Sequence, residues 1–268
     1  MPPSVTACSP LRHALFGVSV AGVLCLVTAS AQCEWTDVRE RDGLILRSEF
    51  SLGKSGADQL LNDLDGLQSD VLTTLQLKPG TGIVEFHLFR GKSTYQEYLR
   101  IRVPEGASRP ALFVKGDDRA RVYVYRHWGY EKDVRHEGTH AVLHNALPFV
   151  PMWLDEGLAE YFEVLAKDRI RANPHQGELK RRILFGWKPD LKRLQNKTKL
   201  SEMDGADYRE SWAWVHFMLH GPEDVRQQFH EYLADVQAGR AAGLLGDRLL
   251  SDVVNTEERL VQHIRHWK

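Results

Sequence analysis

The run Asp133-Val134-Arg135-His136-Glu137-Gly138-Thr139-His140-Ala141-Val142-Leu143-His144 sets two histidines four residues apart, with a glutamate beside the first. On an α-helix, residues at i and i+4 share a face with Cβ atoms about 6 Å apart, so His136 and His140 can aim two imidazole nitrogens at one ion. Zinc sits about 2.0–2.1 Å from such nitrogens, takes a third protein ligand, and keeps a fourth position for water when it does chemistry. Glu137 then stands beside the ion, where its carboxylate can take a proton from that water. His144 lies one turn further on. Each four-residue step turns the helix by ~40°, so His144 drifts off the metal face and reads as a structural or supporting residue.

A third ligand has two candidate patterns. One places a glycine three residues after the second histidine and another histidine three further on, but Leu143 and Ala146 stand there. The other uses a glutamate on a following helix. Trp153-Leu154-Asp155-Glu156-Gly157-Leu158-Ala159-Glu160-Tyr161-Phe162-Glu163 supplies one after the proline-bounded turn Leu147-Pro148-Phe149-Val150-Pro151. Glu156, Glu160 and Glu163 then form an acidic stripe, and Leu158, Phe162 and Leu165 an apolar stripe on another face.

These two segments together resemble the gluzincin zinc metallopeptidases, in particular the aminopeptidase N clan and its peptidase MA-like families. The resemblance implies a thermolysin-like catalytic core. It makes His136, His140 and Glu156 the ligands of one Zn²⁺ ion and Glu137 the general base, with Glu163 and, more weakly, Glu160 supporting the ligands. The clan also has a tyrosine near the start of a later helix that stabilises the transition state. The segment Tyr208-Arg209-Glu210-Ser211-Trp212-Ala213-Trp214-Val215-His216-Phe217 carries that role over to Tyr208. The matching residues run from about Arg121 to Leu219. Two features depart from the clan aminopeptidases: the spacing from His140 to Glu156 is shorter, and the Gly-x-Met-Glu-Asn segment that binds a substrate's free amino group is absent. Endopeptidase action is therefore expected as readily as aminopeptidase action. The expected partner is a peptide or protein substrate. In gluzincins an edge strand just before the metal helix receives the extended peptide, and here position assigns that role to Arg121–Tyr125. Two other readings of the same residues stay open: a zinc-containing peptide-binding module without turnover, and a zinc amidase acting on non-protein amides such as those of cell walls.

Other histidines and one glycine motif carry less. His216, His220, His230, His263 and His266 show no comparable ligand pattern, and Trp212 and Trp214 read as core. Gly91-Lys92-Ser93-Thr94 ends like a phosphate-binding loop, but Phe86 stands where that loop needs its first glycine.

The elements that must hold these residues follow from the rest of the chain. It has 268 residues, 43% hydrophobic and 26% charged, which is an ordinary globular composition. Lys and Arg number 35 against 36 for Asp and Glu, so there is no basic field for gripping nucleic acid. Arg12 and His13 precede the apolar run Ala14–Val27, and Ala29-Ser30-Ala31 follows as a small-x-small cleavage pattern. Residues 1–31 are expected to be a secretory signal peptide, the run being shorter than the ~20 residues of a membrane span. The protein is thus expected to be exported, periplasmic or secreted, with no stable membrane span after cleavage. Cleavage leaves Cys33 alone and no internal disulfide. Lipid attachment at Cys33 is disfavoured by the large Gln32 before it.

The expected fold class is α+β. Residues 32–126 form an N-terminal α/β lobe with a small sheet: strands at Leu44–Leu46 and Ile83–Phe89, a leucine-spaced helix over 57–77, and a hairpin of Ala111–Val114 with Arg121–Tyr125 around Gly116-Asp117-Asp118. Residues 127–268 form a mainly helical lobe, with helices expected over 131–145, 156–167, 177–184, 208–219, 222–236 and 257–267.

Overall fold

In the computed structural model, which describes residues 34–117, 119–169 and 174–267, five strands form one mixed sheet. The strands are β1 (Asp37–Arg41), β2 (Leu44–Ser48), β3 (Ile83–Phe89), β4 (Ala111–Lys115) and β5 (Arg119–Tyr125), in the order β1-β2-β3-β5-β4. The central pairs β2–β3 and β3–β5 are parallel, and the outer pairs β1–β2 and β4–β5 are antiparallel. Alternation along the strands sends Leu44, Leu46, Val84, Phe86, Leu88, Val122 and Val124 to one face, where they form a core with Leu60, Leu61 and Leu64 of helix α1 (Gly53–Thr74). Phe89, Leu112 and Tyr123 face the other way and pack on Tyr95 and Leu99 of α2 (Lys92–Arg102).

The register corrects one expectation. Arg121–Tyr125 is not an edge: β5 pairs with β3 on one side and with β4 on the other, so the free edge beside the metal helix belongs to β4. The strand richest in β-branched and aromatic residues went to the interior, and the shorter first arm of the hairpin took the rim. β1 went unanticipated because its residues Asp37-Val38-Arg39-Glu40-Arg41 are nearly all charged, as suits an edge strand. The Asp42-Gly43 pair, with φ of 47° and 83°, makes the hairpin turn that announces β1.

After β5 the chain is helical. α3 (Tyr130–Ala146), α4 (Met152–Phe162), α5 (Ala166–Arg169), α6 (Pro174–Leu184) and α7 (Leu191–Gln195) are followed by α8 (Gly205–His220), α9 (Glu223–Gln237), α10 (Leu245–Asp252) and α11 (Thr256–His266). The class is α+β, as expected. α3 touches the sheet on one side and α4 on the other, so the metal helix joins the two halves of the molecule. The expected helix over 156–167 instead starts earlier and ends at Phe162. Arg135 Nε donates to the Glu163 carbonyl at 2.6 Å there, and Leu165, expected on an apolar stripe, is 47% exposed. The short α7 and α10 were not anticipated. The expected leader and Cys33 lie outside the described residues, and no helix among those described is long and apolar enough to cross a membrane.

α4 and α8 approach closely because Gly157 has no side chain: a Cβ there would stand 2.7 Å from the Ser211 carbonyl oxygen. Trp212 and Trp214 are buried in the core between these helices and their neighbours, as expected. Less expected is a histidine cluster on the same helix. His216 Nδ1 lies 2.8 Å from His263 Nε2 of α11, and His220 Nε2 lies 2.7 Å from the Tyr161 hydroxyl. Burial, and after it the neighbouring histidine rings, push His216 down to about 2 and His263 to about 4. Arg169 of α5 and Arg226 of α9 act with burial to lower His220. The cluster is therefore neutral in the folded protein.

In the unfolded chain the same imidazoles take up protons near pH 6.5, so between that value and about 4 the unfolded state binds more protons than the folded one. This cluster's contribution to stability is full above about pH 6.5 and falls as pH drops through this window, by up to about 1.4 kcal/mol per pH unit for each histidine. Urea midpoints measured from pH 7.5 to 4.5 should show this decline, and His263→Phe should flatten part of it.

Candidate metal centre

α3 and α4 are built to face each other. α3 begins after Gly129, which takes φ 81°, and it carries Glu131 and Asp133 in its first turn, where the helix dipole favours acids. Buried Val134, Gly138 and Ala141 seat it against α1 and the sheet, which turns His136 and His140 towards α4. α4 buries Trp153, Leu154, Leu158 and Phe162, so its remaining face, carrying Asp155, Glu156 and Glu163, meets the histidines.

His136 Nε2 lies 3.6 Å and His140 Nε2 3.9 Å from the same Glu156 oxygen, Oε2. One ligand atom from each of the three residues lies within 4.8 Å of the others, and among the described residues this is the group that could hold a metal ion. Zinc bonds of about 2.0–2.1 Å imply a tetrahedral edge of about 3.3 Å, so small side-chain shifts would close the geometry.

The far nitrogen of each ring is also held. His136 Nδ1 is 3.0 Å from Glu163 Oε2, whose partner oxygen pairs with Lys132 Nζ at 2.7 Å. His140 Nδ1 is 2.9 Å from Asp155 Oδ1, a close ion pair whose angle is not that of a linear hydrogen bond, and Asp155 Oδ2 meets His144 Nε2 at 2.8 Å. A carboxylate behind each ring keeps the proton on Nδ1 and leaves the Nε2 lone pair aimed into the gap. Two lone pairs and a carboxylate oxygen then converge, which is a donor set that asks for a cation. Protons compete for the same place. Burial alone would lower both imidazoles, but the surrounding carboxylates outweigh it: His136 rises well above its ordinary value through Glu156 and Glu163, and His140 rises to about 9 through Asp155 and Glu156.

Around this group opens a cleft of about 430 Å³ lined by Glu137, Asp155, Met152, Phe113, Arg109 and Tyr208, among others. Burial pushes the Glu137 carboxyl above its ordinary value, against the pull of His140, His136 and the Phe113 backbone amide that hydrogen-bonds to it. Phe113 belongs to the edge strand β4, and its ring stacks on His144 and His140 with centroids 5.3 and 6.0 Å apart. Tyr208 sits in the first turn of α8, whose start is fixed by Asp204 accepting from the amides of Ala206 and Asp207 at 2.7 and 3.0 Å. Arg193 and Lys197 clamp Asp207 at 2.5 and 2.6 Å, tying α7 and the following loop to that turn. Burial, then the nearby Glu156, raise the Tyr208 hydroxyl, so it is a donor across the physiological range.

The structure thus brings His136, His140, Glu156, Glu137 and Tyr208 to one cleft and puts Glu163 directly behind His136. Glu160 goes elsewhere: its Oε2 lies 2.8 Å from His175 Nε2 of α6, and it supports that pair rather than a ligand ring. Asp155 was not singled out in sequence because it falls off the stripe of Glu156, Glu160 and Glu163. Its signal was the spacing: it precedes the ligand glutamate by one residue, which on a helix starting at Met152 turns it towards the deeper histidine. No family model matches this chain, and no curated protein matches it either.

Carboxylates that support ligand histidines typically carry a 10–100-fold effect on metal affinity. Asp155→Asn, titrated with Zn²⁺ against a competing chelator, should lose about that factor, while Glu160→Gln should leave the affinity within about threefold because it does not touch either ring.

Proposed function

We propose that this chain is an exported zinc metallohydrolase with a gluzincin-type core, acting on peptide bonds. The observation that carries the reading is the convergence of two carboxylate-backed Nε2 atoms and Glu156 Oε2 beside the half-buried Glu137 in an open cleft. His136, His140 and Glu156 would hold the ion. When bound, zinc supplies Lewis acidity both to an amide carbonyl and to an attacking water.

The chain's own residues do the rest. Glu137, its carboxyl raised by burial, accepts a proton from the water and returns it to the leaving amine. A carboxyl raised towards the working pH suits both halves of that shuttle. Tyr208, which lines the cleft with its hydroxyl protonated, donates a hydrogen bond to the oxyanion as the carbonyl becomes tetrahedral. The free edge of β4 lies along the same cleft through Ala111 and Phe113, so an extended peptide can add as a further strand and have its backbone positioned by main-chain hydrogen bonds. Asp155 and Glu163 keep both imidazoles in the tautomer and orientation that binding needs.

The test is metal analysis and peptide turnover on the purified protein and on Glu137→Gln. Wild type should hold about one zinc per chain and cleave peptides in a chelator-sensitive manner. Glu137→Gln should keep the zinc and lose about 10²–10⁴-fold in turnover, the usual contribution of a general base. Wild-type protein without zinc after loading would falsify the assignment. Zinc-dependent peptide binding without cleavage would instead favour a binding module, and cleavage confined to cell-wall fragments an amidase.

A further inference from the structure

Arg109 stands at the rim of the metal cleft, two residues before β4 begins. Its backbone is fixed in a turn, the Arg109 amide donating to the Gly106 carbonyl at 3.0 Å, so the side chain starts from a defined place. The acids around the cleft are already engaged. Asp155 is shared by His140 and His144, Glu156 faces both Nε2 atoms, and Glu137 is held by the Phe113 amide. Arg135 and Arg169 line a different pocket and are engaged there: Arg135 Nε donates to the Glu163 carbonyl, and Arg169 pairs with Asp70 at 2.5 Å. Arg109 differs, because among the described residues no carboxylate pairs with its guanidinium. Its charge reaches the interior of the cleft, pulling against the rise of the Tyr208 hydroxyl. Among the described residues, Arg109 is therefore an exposed cation on the cleft lining with no carboxylate paired to it.

Strand direction says which part of a substrate meets it. A peptide laid antiparallel on the free edge of β4 brings its C-terminal half to the N-terminal end of that strand, which is where Arg109 sits. A planar guanidinium with a fork of donors matches a carboxylate better than any other peptide group.

We propose that Arg109 is the specificity-determining residue of this cleft and selects substrates with a carboxylate just beyond the cut bond on its C-terminal side. That carboxylate is either the free chain terminus, which makes the enzyme trim peptides from the C-terminal end, or an Asp or Glu side chain. The inference rests on the peptidase reading above and goes beyond it by naming the substrate class.

The experiment uses the full zinc-loaded chain carrying Glu137→Gln, so that bound peptide is not consumed, and measures dissociation constants for matched N-acetylated hexapeptides. One pair differs in a free or amidated C-terminus. A second pair, amidated in both members, differs in Glu or Gln at successive positions. A carboxylate hydrogen-bonded to arginine is expected to tighten binding about tenfold to a hundredfold. Adding Arg109→Gln should remove that difference without changing zinc content, and Arg109→Lys should restore part of it. A preference within the first pair identifies the chain terminus, and one within the second identifies the side chain. Equal binding within both pairs, or a preference that survives Arg109→Gln, overturns the proposal. Wild-type cleavage of peptides without any carboxylate preference overturns the role of Arg109 and leaves the peptidase reading standing. A zinc-loaded protein that neither binds nor cleaves any peptide overturns both.

Discussion

The contact on which the rest depends is the grip of α4's carboxylates on the back of α3's imidazoles. Asp155 lies behind His140 and Glu163 behind His136, and they stand on either side of Glu156 on one helix face. Asp155, Glu156 and Glu163, three acids within nine residues, would repel one another if the opposite face of the gap were apolar. His136, His140, His144 and Lys132 supply the opposing donors to these carboxylates, and Arg135 holds the Glu163 carbonyl, so each helix is electrostatically incomplete without the other. Neither helix could rotate by a quarter turn without leaving a buried carboxylate unpartnered, an arrangement that costs about 3–5 kcal/mol when a buried ion pair is broken.

The remaining architecture holds that pairing in place from outside. Gly157 lets α8 press on the back of α4, so the helix that carries Glu156 is caught between α3 and α8. The same close approach brings the first turn of α8, and with it Tyr208, to the mouth of the cleft. From the other side the sheet contributes β4, whose Phe113 does two things at once: its ring covers His140 and His144, and its amide reaches Glu137. One strand edge therefore touches both Glu137 and the histidine helix.

The convergence of His136, His140 and Glu156 was legible in sequence because its logic is local. His136 and His140 are one helical turn apart, and Glu156 sits near the start of the next helix after a turn marked by Pro148 and Pro151, so spacing alone carried the geometry. The supporting residues were legible only where they fell on the same periodicity. Glu163 did, whereas Glu160, at an equally good spacing, was drawn away by His175 of α6, a residue no local pattern connects to it. Strand order was not legible for a similar reason. Whether β4 or β5 forms the rim depends on which of them β3 pairs with, and that is settled by contacts more than thirty residues apart along the chain. Arg109 lay in an unpatterned loop and became visible only when the cleft placed it beside the metal group.

The pairs His136/His140 and His216/His220 show why spacing alone is a poor guide to chemistry. His216 and His220 on α8 are four residues apart, as His136 and His140 are on α3, and His263 lies close enough to stand as a third nitrogen. The physical difference is what surrounds the rings. Around His216 stand Trp212, Trp267 and further histidines, so burial wins, the rings stay neutral, and the cluster packs as core. Around His136 and His140 stand Asp155, Glu156 and Glu163, so the carboxylates win against burial and draw positive charge inward. A site that stabilises two extra positive charges as protons is also one that stabilises them as a divalent ion, and only the acidic helix following the histidines distinguishes the one pair from the other.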